Sequence, residues 1–257
     1  MTTTAKKALG QHFLADPNIL GVIGRLAELE SDDIVLEIGP GLGVLTTFLA
    51  DRVALVHAVE VDRELESVLA ETVGTRENVR VVLGDALRID LATLQPTPRK
   101  LVANLPYNIA TPLIAESLTG LPELDLWCVM LQREVADRFF ATPGTKAYGS
   151  VSVLIQLAAE RTGFHAVSRT VFRPQPNVDS ALLAFRRRPL PGGFAEIKRV
   201  VEGAFSHRRK TLANALQLAG VAERERAVAA LATIGRRADS RAEALEPGEF
   251  VALSNAL

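Results

Sequence analysis

Residues 34–46 read Ile-Val-Leu-Glu-Ile-Gly-Pro-Gly-Leu-Gly-Val-Leu-Thr. The opening Ile34-Val35-Leu36 is a short apolar run of the kind that forms a buried strand. From Val44 to Ala50 the apolar residues recur at helical spacing. Between the two, Gly39, Gly41 and Gly43 mark a tight turn, where the backbone must meet a neighbour with no Cβ in the way. Strand, glycine turn and helix in that order open a nucleotide-binding α/β unit.

The spacing narrows the choice of ligand. A dinucleotide fingerprint, G-x-G-x-x-G, sets a pyrophosphate on the helix N-terminus. Here the glycines fall at 39, 41 and 43, position 44 is Val, and Glu37 stands two residues before the first glycine. A carboxylate beside a pyrophosphate is unfavourable, whereas beside a cationic cofactor it is acceptable. E-x-G-x-G-x-G is the pattern of S-adenosylmethionine-dependent methyltransferases, whose cofactor carries a sulfonium and an ammonium and no phosphate. The motif by itself also fits a turn whose glycines are only structural.

With 257 residues, 48% of them hydrophobic, the chain can bury one large domain, or one domain with a small appendage. A net charge of −1 excludes a uniformly basic nucleic-acid binder but leaves room for local basic patches. The single cysteine, Cys128, sits in an apolar run and reads as a buried thiol; one cysteine forms no intrachain disulfide and no cysteine-rich metal site. His12, His57, His165 and His207 show no ligand spacing, so no metal is expected. The first residues lack the apolar core of a signal peptide, and no run has membrane-spanning length. A cytoplasmic protein with no membrane association, acting as a monomer, is expected.

Along the chain, Asp16-Pro17 caps a first helix. A second strand covers 55–61, with Glu60 near its end, about twenty residues after the glycine turn, where a carboxylate accepts from ribose hydroxyls. A helix follows at 63–73, then a third strand at 79–83 that runs into Gly84-Asp85-Ala86. Asp85 can face the same crevice and accept from an adenine amino group; taken alone it reads equally well as a helix cap. Strands at 101–103 and 124–131, a helix at 150–159 and a strand pair at 161–167 and 178–185 complete a mostly parallel sheet with helices on both faces. Composition changes at 186–193, which is charged and then rich in proline and glycine. Beyond it, helices are predicted at 194–206, 209–218, 223–234 and 247–255. The expected domains are therefore 1–188, with the α/β sheet, and an all-helical 189–257.

Asn104-Leu105-Pro106-Tyr107 follows the fourth strand. An exocyclic amine on a nucleobase is a poor nucleophile because its lone pair is delocalised into the ring. A site that methylates it must accept hydrogen bonds from its N–H groups so that the nitrogen can pyramidalise. The Asn104 side-chain oxygen and a backbone carbonyl after it can both accept, Pro106 shapes the turn, and Tyr107 offers a face for stacking.

Taken together, these motifs resemble the ribosomal RNA adenine N6,N6-dimethyltransferases of the KsgA type. The resemblance runs from Lys7 to about Leu218 and is carried by GQHFL (10–14), LEIGPGLGVLT (36–46), VEVD (59–62), GDAL (84–87), NLPYNIATPL (104–113), FRPQPNVDSA (172–181) and AFSHRRKTLANAL (204–216). It implies a Rossmann-like S-adenosylmethionine-dependent methyltransferase fold with a small C-terminal all-helical domain. It further implies that His12 and Leu14 close over the cofactor with Glu37, Gly39 and Gly41. Glu60 would hold the ribose, and Asp85 with Ala86 the adenine. Asn104, Leu105, Pro106 and Tyr107 would form the methyl-acceptor site, with Tyr107 and Phe172 stacking on the target base. The family often carries Asn where this chain has His12. The implied substrate is two adjacent adenosines in the 3′-terminal hairpin loop of small-subunit 16S rRNA, within an immature 30S particle, each dimethylated on N6. Loop bases can be splayed out and stacked on aromatic side chains. Basic clusters at Lys6-Lys7, at 186–188 and at Arg208, Arg209 and Lys210 fit a phosphate-binding role, although charge runs are more often solvated surface. Rival readings are a large-subunit rRNA methyltransferase of the antibiotic-resistance type and a noncatalytic RNA-binding factor of the same fold. VDSA (178–181) and NLPY (104–107) favour the small-subunit enzyme over the first, and the full set of cofactor positions argues against the second.

Overall fold

A computed structural model describes residues 11–257. Lys6, Lys7 and Gly10 lie outside the described residues. The chain divides into two compact units: residues up to Ala136 with Arg161–Arg187, and Asp137–Glu160 with Arg188–Leu257.

The elements of the first unit begin with β1 (Phe13–Leu14), α1 (Pro17–Leu26), β2 (Ile34–Ile38), α2 (Val44–Ala50) and β3 (Leu55–Glu60). They continue with α3 (Glu66–Val73), β4 (Val79–Leu83), β5 (Lys100–Asn104), α4 (Ala110–Gly120), β6 (Leu126–Gln132) and α5 (Arg133–Phe139), which runs past the boundary. Asp16 caps α1 as expected, accepting from Asn18 N at 2.9 Å. After α6 (Ser150–Ala158) in the second unit come β7 (Ala159–Val167), β8 (Phe172–Arg173) and β9 (Ser180–Arg187). Sequence alone assigned nothing to 110–120, yet Ala110, Leu113, Ile114, Ser117 and Leu118 are buried at helical spacing along α4.

Seven strands form one sheet in the order β4-β3-β2-β5-β6-β9-β7. From β4 through β6 neighbouring strands are parallel, and β9 runs antiparallel to β6. Every residue of β3 and nearly all of β6 is buried, as parallel strands covered on both faces must be. Leu126, Cys128 and Met130 join the core that includes Ile19, Ile23 and Leu49 of α1 and α2. Trp127, pointing the other way, donates from Nε1 to Ser117 Oγ of α4 at 2.9 Å. The chain moves outward from β2 through β3 to β4, then returns to the other side of β2 with β5. Beyond the carboxyl ends of β2 and β5 the strand order reverses, and such a switch point is where open α/β sheets bind ligands. The glycine turn leaves β2 there, and Asn104 ends β5 there.

The second unit packs α6 with α7 (Phe194–Phe205), α8 (Leu212–Leu218), α9 (Arg224–Thr233) and α10 (Pro247–Ala256). Here the structure differs from the expected division at residue 188, because 137–160 belongs with the C-terminal helices. Tyr148 explains why: it is fully buried, its Oη donates to Leu245 O at 2.8 Å, and its ring meets Phe205 edge-on. α8 also starts later than its predicted position 209, with Thr211 at its N-cap, so Arg209 and Lys210 lie in the preceding turn.

Candidate functional site

Gly39, Gly41 and Gly43 all have positive φ, at 73°, 60° and 80°. A Cβ on Gly39 would come within 3.4 Å of the Pro106 ring, and one on Gly41 within 3.0 Å of the Phe13 ring. Gly41 therefore lets the N-terminal strap close on the turn through Phe13, whereas Gly39 is needed for its positive φ, with the acceptor motif in ordinary contact through Pro106. The strap is held by the β1–β8 pairing, Phe13 opposite Arg173 and Leu14 opposite Phe172.

Two adjoining chambers open around the turn. Gly39, Glu60, Val61 and Pro106 line both. The first also holds Gln11, His12, Leu14, Glu37, Asn104 and Tyr107, and the second holds Asp85, Ala86, Asn108 and Ile109. The expected cofactor positions are thus brought together. Gln11 and Phe13, which carried no role in the sequence beyond membership of a motif, line the cleft as well. Gln11 Nε2 donates to Asp62 Oδ2 at 3.0 Å.

Three carboxyl groups line the chambers, and among the described lining residues there is no Lys or Arg. Glu60 is oriented by two backbone donors, Gly41 N to Oε2 at 3.1 Å and Asp62 N to Oε1 at 2.9 Å. Burial raises its pKa, an effect those two N–H groups partly offset and the Asp62 charge adds to. Asp85 caps a turn and also lines the cleft. Its Oδ1 accepts from Leu87 N at 3.0 Å as a turn cap, and the residue lines the second chamber. Glu37 is 1% exposed and its Oε2 has no hydrogen-bond partner. Burial pushes its carboxyl up to about 8; the Thr46 hydroxyl nearby lowers it a little, and Glu60 raises it. A buried carboxyl with one oxygen unpartnered is held neutral by burial, and a cation beside it favours its ionised form.

At the mouth of the first chamber Asn104 Nδ2 donates to His12 O at 3.0 Å. That bond commits the amide's donor end to the strap and turns its oxygen away as an acceptor. Pro106 O already accepts from Ile109 N and Ala110 N, both at 3.2 Å. Pro106 O is thereby occupied within its own turn. Tyr107 is half-buried, with Oη hydrogen-bonded to Ser180 Oγ at 3.1 Å. Phe172 departs from expectation: it is fully buried in the main core with Leu14, Ile19 and Val167, and it presents no face for a base. Strand pairing with the strap turns its ring inward.

Two of the basic clusters also find internal partners. Arg186 pairs with Glu28, and Arg188 with Glu160. Arg187 donates to the carbonyls of Leu118, Leu121 and Leu124 and lies over the Trp127 ring. In the second unit Arg208, Arg209 and Lys210 are all exposed, and Arg208 Nη2 donates to Tyr148 O at 2.8 Å.

Rossmann-like methyltransferases are the class that this strand order and this acidic, switch-point cleft define. The family model described as ribosomal RNA adenine dimethylase matches residues 2–257. A relative from Rubrobacter xylanophilus, named ribosomal RNA small subunit methyltransferase A, is 49% identical over 98% of this chain and 95% of its own. Among solved structures, a dimethyladenosine transferase from Plasmodium falciparum matches with a TM-score of 0.79 at 26% identity, over 94% of this chain and 96% of that one. The 23S rRNA methyltransferase ErmE matches at 0.69 and 30% identity, over 95% and 99%. This chain belongs to the ribosomal RNA adenine dimethylase family.

Proposed function

We propose that the chain transfers methyl groups from S-adenosylmethionine to N6 of two adjacent adenosines in the 3′-terminal hairpin loop of small-subunit rRNA, acting as a cytoplasmic monomer on an immature 30S particle. The observation that carries this reading is Asn104, held by the strap with its amide oxygen turned away as an acceptor at the mouth of an acidic cleft. The relative named for the small subunit is also much more similar than ErmE, at 49% against 30% identity. S-adenosylmethionine bound in the cleft supplies an electrophilic methyl on a sulfonium. Glu60 accepts from ribose hydroxyls, Asp85 accepts from the adenine amine against the apolar Ala86 and Ile109, and Glu37 faces positive charge. Asn104 Oδ1 and Leu105 O accept the two N6–H groups of the target, so the nitrogen lone pair leaves conjugation with the ring. Tyr107 supports the base by stacking. Purified protein mixed with S-adenosylmethionine and unmethylated small or large subunits tests the assignment. Dimethylation should map to the two small-subunit adenosines; a product on large-subunit RNA would overturn it.

Glu37 links cofactor binding to pH. Below about 8 its carboxyl is protonated in the free protein, and a bound cation favours the ionised form. Binding should therefore release a proton, and affinity should climb with pH, by up to about tenfold per unit, until it levels near 8. Calorimetry in buffers of differing ionisation enthalpy counts that proton. Glu37→Gln should remove this part of the slope while leaving any titration of the ligand itself. Equal proton counts in the two proteins would show that Glu37 stays neutral.

The basic turn before α8 separates into two roles. Replacing Arg209 and Lys210 together should flatten the salt dependence of RNA binding, by about one power of salt for each phosphate left without its cation. Arg208→Ala should instead destabilise the helical unit by about 1–3 kcal/mol, because Tyr148 O loses a charged donor. Filter binding across a salt series and thermal melts distinguish the two; an unchanged salt slope in the double variant would mean that this turn faces solvent in the complex.

A further inference from the structure

The strap over the glycine turn is pinned on both sides. Gln11 Nε2 donates to Asp62 Oδ2, just beyond the end of β3, and the next carbonyl along the strap, His12 O, accepts from Asn104 Nδ2 at the end of β5. β3 and β5 are the two neighbours of β2, so the strap crosses the switch point from one to the other, with Phe13 against Gly41. Past the crossing, His12 Nδ1 donates to Pro174 O at 2.7 Å, and Phe13 and Leu14 enter the β1–β8 pairing. Asp62 itself is 6% exposed and lines neither chamber. Its Oδ1 accepts from Glu64 N at 3.1 Å, and its N–H orients Glu60. With both oxygens accepting, the Asp62 side chain is fixed in place, an anchor for a residue 51 positions earlier.

We propose that Asp62 is a positioning residue for methyl transfer: by holding Gln11 it fixes the His12 carbonyl, and through that carbonyl the orientation of the Asn104 amide. The proposal rests on the reading above in which Asn104 Oδ1 accepts from the target amine. The terminal torsion of an Asn side chain is broad and roughly two-fold, so its hydrogen-bond partners decide which end faces the acceptor site. The donor end of Asn104 is committed only while His12 O stays where it is. Consecutive Cα atoms are held about 3.8 Å apart, so a displacement of Gln11 is carried to His12. The β1–β8 pairing and the Pro174 bond hold the strap from the far side, and the Asp62 bond holds it from the β3 side. A reacting or polarising group misplaced by about 1 Å costs up to roughly 100-fold in rate, so a small movement of the strap suffices.

Compensating substitutions test the link. Gln11→Glu sets one carboxyl against another across 3.0 Å, and Asp62→Asn added to it restores a donor–acceptor pair while an Asn oxygen still accepts from Glu64 N. Full-length protein is mixed with undermethylated small subunits in single-turnover transfer, at S-adenosylmethionine concentrations that calorimetry shows to saturate each variant. We expect Gln11→Glu to slow transfer about tenfold at saturating subunits, with the half-saturating concentration within about twofold of wild type. The double variant Gln11→Glu with Asp62→Asn should recover most of that rate. In the Asn104→Ala background Gln11→Glu should cost less than about twofold, because the group it positions is gone. Thermal melts check that each variant is folded; should the double variant melt early, the Asn104→Ala comparison decides alone. If Gln11→Glu transfers at the wild-type rate, if a folded double variant recovers nothing, or if the Asn104→Ala background leaves the penalty whole, Asp62 does not position Asn104 and the proposal fails. Wild-type protein that transfers nothing to small subunits would instead bring down the functional reading, and this proposal with it.

Discussion

Asn104→Ala is expected to slow methyl transfer by roughly 100-fold or more while RNA binding changes far less. The acceptor oxygen of Asn104 meets an N–H group that becomes more positive as the nitrogen takes the methyl. An interaction that strengthens toward the transition state lowers the barrier more than it tightens the ground state. No general base is needed beforehand, because the amine proton becomes acidic only once the methyl has arrived. The structure sharpens the choice of control. Asn104→Asp keeps an acceptor, but it replaces the donor to His12 O with a second oxygen, so two acceptors would face each other across 3.0 Å. Asn104→Asp should therefore recover only part of the lost rate. Single-turnover methylation with saturating RNA and cofactor measures both variants. A wild-type rate in Asn104→Ala would reduce Asn104 to a turn residue and remove the proposed mechanism.

Phe172→Ala should cost about 3–5 kcal/mol of stability, as expected for a fully buried phenyl ring cut back to a methyl. For a unit of this size that corresponds to a fall of about 10 °C in melting temperature. Phe172→Leu, which leaves a smaller cavity, should recover much of the loss. Because Phe172 pairs with Leu14, the cavity also loosens the strap that carries His12, and transfer should slow for that indirect reason. Thermal melts followed by circular dichroism provide the check. If Phe172→Ala melts like wild type but cannot engage RNA, the ring faces the substrate, as the sequence suggested, and its buried position here is not the working one.

Much of the site was legible because its signals are local. The strand at 34–38, the glycine turn and α2 follow from residues that are neighbours in the chain, and Glu60 follows from a spacing that one βαβ unit imposes. The same holds for the Asp16 cap and for the apolar run of β6. The resemblance added residue roles that no spacing could supply.

What the tertiary structure decided were partners far apart in sequence. Local chemistry could not order the strands, and the order β3-β2-β5 is what sets the glycine turn beside Asn104. Nor could it show that three backbone carbonyls take up Arg187, or that Tyr148 draws 137–160 into the helical unit. The bond from Asn104 to His12 spans 92 positions, and the one from His12 to Pro174 spans 162. Phe172 shows the reason most plainly. An aromatic residue in a motif looks the same whether its ring meets a base or the core, because burial belongs to the surrounding packing, here Leu14 and the helix that begins at Pro17, and not to the residue itself.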